Sequence, residues 1–105
     1  MVPVPPVSPA LTVQGISLVF YSSHFCEPCA RTREVLRKVA ELLPSLTIVE
    51  RDVVDSLGDA EIDGIRSTPT VIIRDGGGEE VVRAEGVPTL SAVLVAVSRA
   101  AEHTA

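Results

Sequence analysis

The chain has 105 residues, enough for one domain that buries about two-thirds of the surface its unfolded form exposes. A hydrophobic fraction of 46% supports a genuine core, and with no Trp, one Tyr and two Phe that core must be mostly Val, Leu, Ile and Ala. A net charge of −5 argues against a nucleic-acid partner, and no apolar run approaches the roughly 18 residues of a membrane span.

Met1 to Pro9 carries four prolines and no charge. Residues 1–15 read as an extended, poorly ordered arm ahead of a single domain over 16–105. The start has neither a basic n-region nor an unbroken apolar h-region, so it is not a secretory signal and a cytoplasmic protein is expected. In that compartment thiols stay reduced unless they are catalytic or bind metal.

Ile16 to Ser23 is apolar, β-branched and aromatic, as in a strand buried on both faces. From Glu27 the period changes. Val35, Leu36, Val39, Leu42 and Leu43 recur at helical spacing, Arg33, Glu34, Arg37, Lys38 and Glu41 mark the wet side, and Pro44 ends the helix. Leu46 to Val53 reads as a second strand. Asp55 is a plausible N-cap for a short helix through Ile62, stopped by Gly64.

Thr70–Arg74 and Glu79–Glu85 flank "DGGG", a β-hairpin whose glycines are free to take positive φ. Thr89 then caps a terminal helix with Leu90, Val93, Leu94 and Val97 as its apolar stripe. The order β-α-β-α-β-β-α predicts an α/β fold: a four-stranded mixed sheet flanked by helices, parallel at first and closed by an antiparallel hairpin.

The only two cysteines, Cys26 and Cys29, fall where the first strand gives way to the first helix. Side chains at i and i+3 of a helix are about 5–6 Å apart at Cβ, and a disulfide needs roughly 3.5–4.5 Å. A small adjustment therefore opens or closes the bond. The first thiol sits among unpaired N–H groups at the positive end of a helix, which favours the attacking thiolate. Pro28 in the first turn removes an N–H that had no partner there. The pair reads as a reversible two-electron switch in which Cys26 attacks and Cys29 resolves the mixed disulfide.

Other uses of the pair are weaker. A structural disulfide would close only a tiny loop. A zinc site wants about four ligands, and only His24 and His103 are left to supplement the thiols, so no metal is expected. Three further features read as structural. The glycine run is a turn, not a phosphate loop; Arg31, Arg33, Arg37 and Lys38 form a solvated basic face; Asp52 and Asp55 lack calcium-loop spacing.

With "FCEPC" after the buried strand, "LTIVERDVVD", "GIRSTPTVII" and "EGVPTLSAVL", the chain resembles the thioredoxin family from Ile16 to Ala100. The resemblance implies a thioredoxin-like fold, a redox-active Cys26–Cys29 disulfide, no bound cofactor, and a cis Thr68–Pro69 step lying against the dithiol. It offers the Thr68 backbone to an incoming peptide, and Gly86 matches a glycine that lets backbone approach the site closely. The size is similar to the minimal, glutaredoxin-like core of the family. Glutaredoxins usually carry C-P-Y-C and an acidic glutathione grip. Here Pro28 takes the thioredoxin place and "EGVPT" has no Asp, so glutathione is not expected as obligate partner.

Where thioredoxins usually have Trp and Gly around the first cysteine, this chain has Phe25 and Glu27. Phe25 is expected to cover the disulfide as an apolar lid. The family's buried proton-accepting Asp is matched by Phe20, a nearby Lys by Arg51, and a helix-kinking proline by Glu34. Glu27 stabilises a helix N-terminus. At ~8 Å from the Cys26 sulfur and an effective dielectric near 40, it also opposes the thiolate by about 1 kcal/mol. His24 offsets this as a cation or accepts a proton in place of the missing Asp.

The expected activity is thiol–disulfide exchange on protein disulfides by a monomer. Electrons would come from an external reductase, thioredoxin-reductase-like or glutathione-linked. The alternative is a thioredoxin-fold binding module, or a metal or iron–sulfur carrier, with little redox turnover; loss of the buried acid keeps it open.

Overall fold

The computed structural model describes residues 13–104. The proline-rich arm, as far as Thr12, lies outside them. Residues 13–15 form a turn in which Val13 is buried and its carbonyl accepts the Ile16 N–H at 3.0 Å.

The described elements follow the order β1 (Ser17–Ser22), α1 (Glu27–Leu42), β2 (Thr47–Asp52), α2 (Leu57–Ile62), β3 (Thr70–Arg74), β4 (Glu80–Glu85) and α3 (Leu90–Thr104). The sheet runs β2-β1-β3-β4, with β1 parallel to β2 and antiparallel to β3, and β3 antiparallel to β4. No helix among the described residues is long and apolar enough to cross a membrane.

Strand β1 is central and its side chains alternate between faces, as a period of two requires. Leu18 and Phe20 join Leu36 and Val39 of α1 and Val93 and Val97 of α3 in the larger core. Val19 and Tyr21 point the other way, packing with Ile72 of β3 and Ala60 of α2. Each fully buried Val, Leu or Ile contributes about 1.5–3 kcal/mol relative to leaving it in water, so this strand anchors both layers.

Local details correct two expectations. Leu42 is exposed, because the buried stripe of α1 runs through Cys29, Thr32, Leu36 and Val39. The cap of α2 is Ser56, with no side-chain bond, whereas Asp52 Oδ1 takes the Val54 and Asp55 N–H groups at 2.8 and 3.3 Å. The loop thus turns on Asp52, three residues earlier than Asp55. In the hairpin, Gly78 adopts φ +85°, which answers the expected use of glycine there. Thr89 caps α3 as expected, its Oγ1 accepting the Ala92 N–H at 3.1 Å.

Candidate active site

The C-terminal ends of β1 and β2 and the N-terminal end of β3 meet at one edge of the molecule. Four connections converge there: 23–26, 53–56, 66–69 and 86–89. Cross-bonds join them, from Val53 N–H to the Ser22 carbonyl and from Gly86 N–H to the Pro69 carbonyl, both 2.9 Å.

Leaving β1, the chain turns at Phe25, the one described non-glycine residue with positive φ, at +55°. That conformation costs an L-residue roughly 1–2 kcal/mol. It hands the chain to Cys26, whose extended backbone makes it the N-cap of α1. Cys26 Sγ accepts the Cys29 N–H at 3.1 Å, so the first sulfur does the work of a capping oxygen. A sulfur so placed faces the positive end of the helix, where negative charge is favoured.

Cys26 and Cys29 are joined by a disulfide, with Cα atoms 5.1 Å apart. Cys29 is buried in the main core while Cys26 is half-buried. Pro28 lies within the first turn, and its carbonyl accepts the Thr32 hydroxyl at 2.9 Å. Glu27 is exposed in that turn.

The Thr68–Pro69 peptide is cis, with Pro69 buried and Thr68 half-buried. Thr68 Oγ1 lies 2.7 Å from Ser23 Oγ. Gly86 has φ +91°, and a Cβ there would meet nothing within 4 Å. The positive φ of the turn there favours glycine. Phe25 does not cover the disulfide, because the left-handed turn throws its ring fully into solvent. His24 Nε2 points to Asp52 Oδ2 at 3.4 Å. His103 pairs with Asp75, so neither histidine completes a four-ligand set with the sulfurs.

Phe20 is buried, as expected from its place in β1. Its neighbour in the parallel register is Glu50, while Arg51 pairs with Tyr21 and reaches Asp59 at 3.8 Å. The match of Arg51 to a site lysine is therefore off by one. Glu50 accepts from Ser22 Oγ at 2.9 Å and from Arg33 at 2.9 and 2.6 Å. The Arg33 guanidinium, helped by Ser22, holds the Glu50 carboxyl below its ordinary value. With Arg33 spent on Glu50 and Arg37 on Glu34 at 2.7 Å, the basic face of α1 is half neutralised.

Sequence reasoning missed Ser23, Asp52 and Glu50. Only the side-by-side hydroxyls of "SSH" hinted at the first. The partners of the others are set by the sheet register, which no local pattern reveals.

No protein-family model matches the chain. Thioredoxin of Chlamydia muridarum is 33% identical over 85 residues, spanning 81% of this chain and 82% of that protein. Thioredoxin of Chlamydia trachomatis serovar D is 31% identical over the same shares. Among solved structures, a mutant thioredoxin from Halobacterium salinarum NRC-1 matches with a TM-score of 0.76 at 21% identity, covering 88% of this chain and 80% of that one. That likeness establishes the fold, and the chlamydial relatives, together with two cysteines bonded at a helix tip, establish the rest: the chain belongs to the thioredoxin family and is a thiol–disulfide oxidoreductase.

Proposed function

We propose that Cys26 is the nucleophile and Cys29 the resolving thiol in the reduction of protein disulfides. The observation that carries this assignment is their asymmetry. Cys26 caps the helix and reaches solvent, while Cys29 is buried one turn further in. The Cys26 thiolate attacks one sulfur of the partner's disulfide, whose other sulfur leaves with the electron pair and takes a proton. Cys29, giving up its own proton, then attacks the Cys26 sulfur and expels the second substrate thiolate. Two electrons pass to the substrate and the Cys26–Cys29 disulfide is left behind.

Phe25, Pro28, Thr68 and Pro69 form the docking surface in this reading. Phe25 offers an exposed apolar ring, Thr68 offers backbone for strand-like pairing, and Gly86 supports the Pro69 carbonyl. The chemistry asks for no bound cofactor. An external reductase, thioredoxin-reductase-like or glutathione-linked, regenerates the dithiol of a monomeric, cytoplasmic protein. Glu27 and His24 modulate the attacking sulfur by their charge.

The test is reduction of insulin disulfides with dithiothreitol as electron source. Wild type is expected to accelerate it, and Cys26→Ser and Cys29→Ser are not. Cys29→Ser should accumulate disulfide-linked insulin while Cys26→Ser does not. The reverse pattern of trapping overturns the assignment.

A further inference from the structure

We propose that Ser23 and Thr68 form a positioning bridge, which fixes the proline loop against the cysteine loop and so sets how a protein substrate is presented to Cys26. The inference rests on the reading of Thr68 as part of the docking surface.

The antiparallel pairing of β1 and β3 ends at Tyr21 opposite Thr70. Two further steps of the same register set Ser22 against Pro69 and Ser23 against Thr68. Proline has no N–H and cannot continue a ladder, and the Ser22 carbonyl is already taken by Val53 N–H at 2.9 Å. The backbone pairing therefore stops where the two loops that build the site diverge. One step beyond, Ser23 Oγ and Thr68 Oγ1 lie 2.7 Å apart, a hydroxyl pair between residues 45 apart in sequence. A side-chain bond continues the strand pairing that the proline interrupts.

Both residues sit next to the chemistry. Ser23 is three residues ahead of Cys26, and Thr68 directly precedes Pro69. The remaining fastenings of the proline loop run elsewhere: Thr70 Oγ1 to the Ser67 carbonyl at 2.7 Å, Ser67 Oγ to Glu85 at 3.0 Å, and Gly86 N–H to the Pro69 carbonyl at 2.9 Å. These tie the loop to itself and to the end of β4. The Ser23–Thr68 pair ties it to the segment that carries the nucleophile.

A protein disulfide must satisfy two conditions at once, with its backbone along Thr68 and its sulfur in line with Cys26. Errors of about 1 Å in such positioning are costly. A small disulfide such as 5,5′-dithiobis(2-nitrobenzoate) needs only the sulfur. Loss of the bridge should therefore be felt by insulin and not by the small reagent.

The experiment compares Ser23→Ala, Thr68→Val and the double variant with wild type. It measures initial rates against insulin concentration and, for wild type and Ser23→Ala, the second-order rate of the reduced protein with the small disulfide. Ser23→Ala is expected to raise KM for insulin about three- to tenfold, with kcat and the small-disulfide rate within about twofold of wild type. Ser23→Thr, which keeps a hydroxyl, should recover most of the loss. The double variant should be no worse than the poorer single, because both singles remove the same bond.

An insulin KM unmoved by Ser23→Ala overturns the proposal. So do equal losses on insulin and the small disulfide, or single effects that multiply in the double variant. Failure of the underlying reading looks different: Cys26→Ser would then still reduce insulin.

Discussion

The two ends of the central strand are built in opposite ways. At the Ser22 end stand the disulfide, a phenylalanine in a left-handed turn with its ring in water, and loops joined by single hydrogen bonds. At the Ser17 end stands the turn after β3. There buried Asp75 takes the Gly77 and Glu79 N–H groups on Oδ1 at 2.9 and 3.0 Å, and meets His103 Nδ1 with Oδ2 at 2.6 Å. One carboxylate thus organises a turn and fastens the last turn of α3 to it. Polar groups at that end are spent on one another. At the thiol end backbone strain and an exposed apolar ring are kept, as is usual where partners must be met. The difference divides the molecule into an end that holds the fold and an end that performs the exchange.

The largest separation of the two should come from Cys29→Ser. Insulin reduction is expected to fall to background, while stability falls by only about 2 kcal/mol, the chain-entropy value for so short a closed loop. Chemical denaturation of the oxidised wild type beside the variant checks the second part. A loss of about 4 kcal/mol or more, the value expected of a far longer loop, would mean that the disulfide also holds the core, and the division fails.

Asp75→Asn is the converse. Tm should drop by several degrees, and insulin turnover per folded molecule should stay within twofold of wild type. The pH dependence has a definite sign. His103, with the Glu79 and Gly77 backbone N–H groups, holds the Asp75 carboxyl below its ordinary 3.8. A depressed carboxyl stabilises the fold fully above its unfolded value and loses that contribution as pH falls through the folded one. The gap in Tm between wild type and Asp75→Asn should therefore be widest above about pH 4 and close at lower pH. A constant gap would assign the effect to shape rather than charge.

Much of this division was legible in the sequence, but unevenly. The strands, the long helices, the Thr89 cap and the cysteine pair at the helix tip follow from local periodicity and spacing, which are properties of neighbouring residues. Pairings across the fold were not legible. Asp75 and His103 are 28 residues apart, and Ser23 and Thr68 are 45 apart. Each is fixed only once the register of β1 and β3 and the docking of α3 are known. Phe25 misled for a different reason. Its hydrophobicity suggested a covering role, but the turn that places Cys26 at the N-cap leaves the ring no surface to lie on. Arg51 was misplaced because a shift of one residue in a strand exchanges its faces.

Phe25→Gly tests whether that exposed ring serves partners. Relief of the left-handed strain contributes about 1 kcal/mol, and the added freedom of glycine in the unfolded chain offsets roughly 0.4–1 kcal/mol of it. Stability should therefore change by less than about 1 kcal/mol, while insulin KM rises about three- to fivefold, in proportion to the loss of one partly covered aromatic contact. An unchanged KM would remove Phe25 from the docking surface.

The smallest effect sets fold and chemistry against each other at a single side chain. Glu27 lies in the first turn of α1, where a carboxylate adds about 0.3–1 kcal/mol to the helix. The same charge opposes the Cys26 thiolate by a similar amount, about 1 kcal/mol at ~8 Å and an effective dielectric near 40. Glu27→Gln should lower stability by some tenths of a kcal/mol and speed iodoacetamide labelling of reduced Cys26 at neutral pH by up to about fivefold. Because Glu27 is exposed, the gain should shrink as ionic strength rises from about 0.01 to 0.5 M and the screening length falls from about 30 Å to about 4 Å. Labelling that does not respond to the substitution, or a gain indifferent to salt, would confine Glu27 to the helix and take it out of the chemistry.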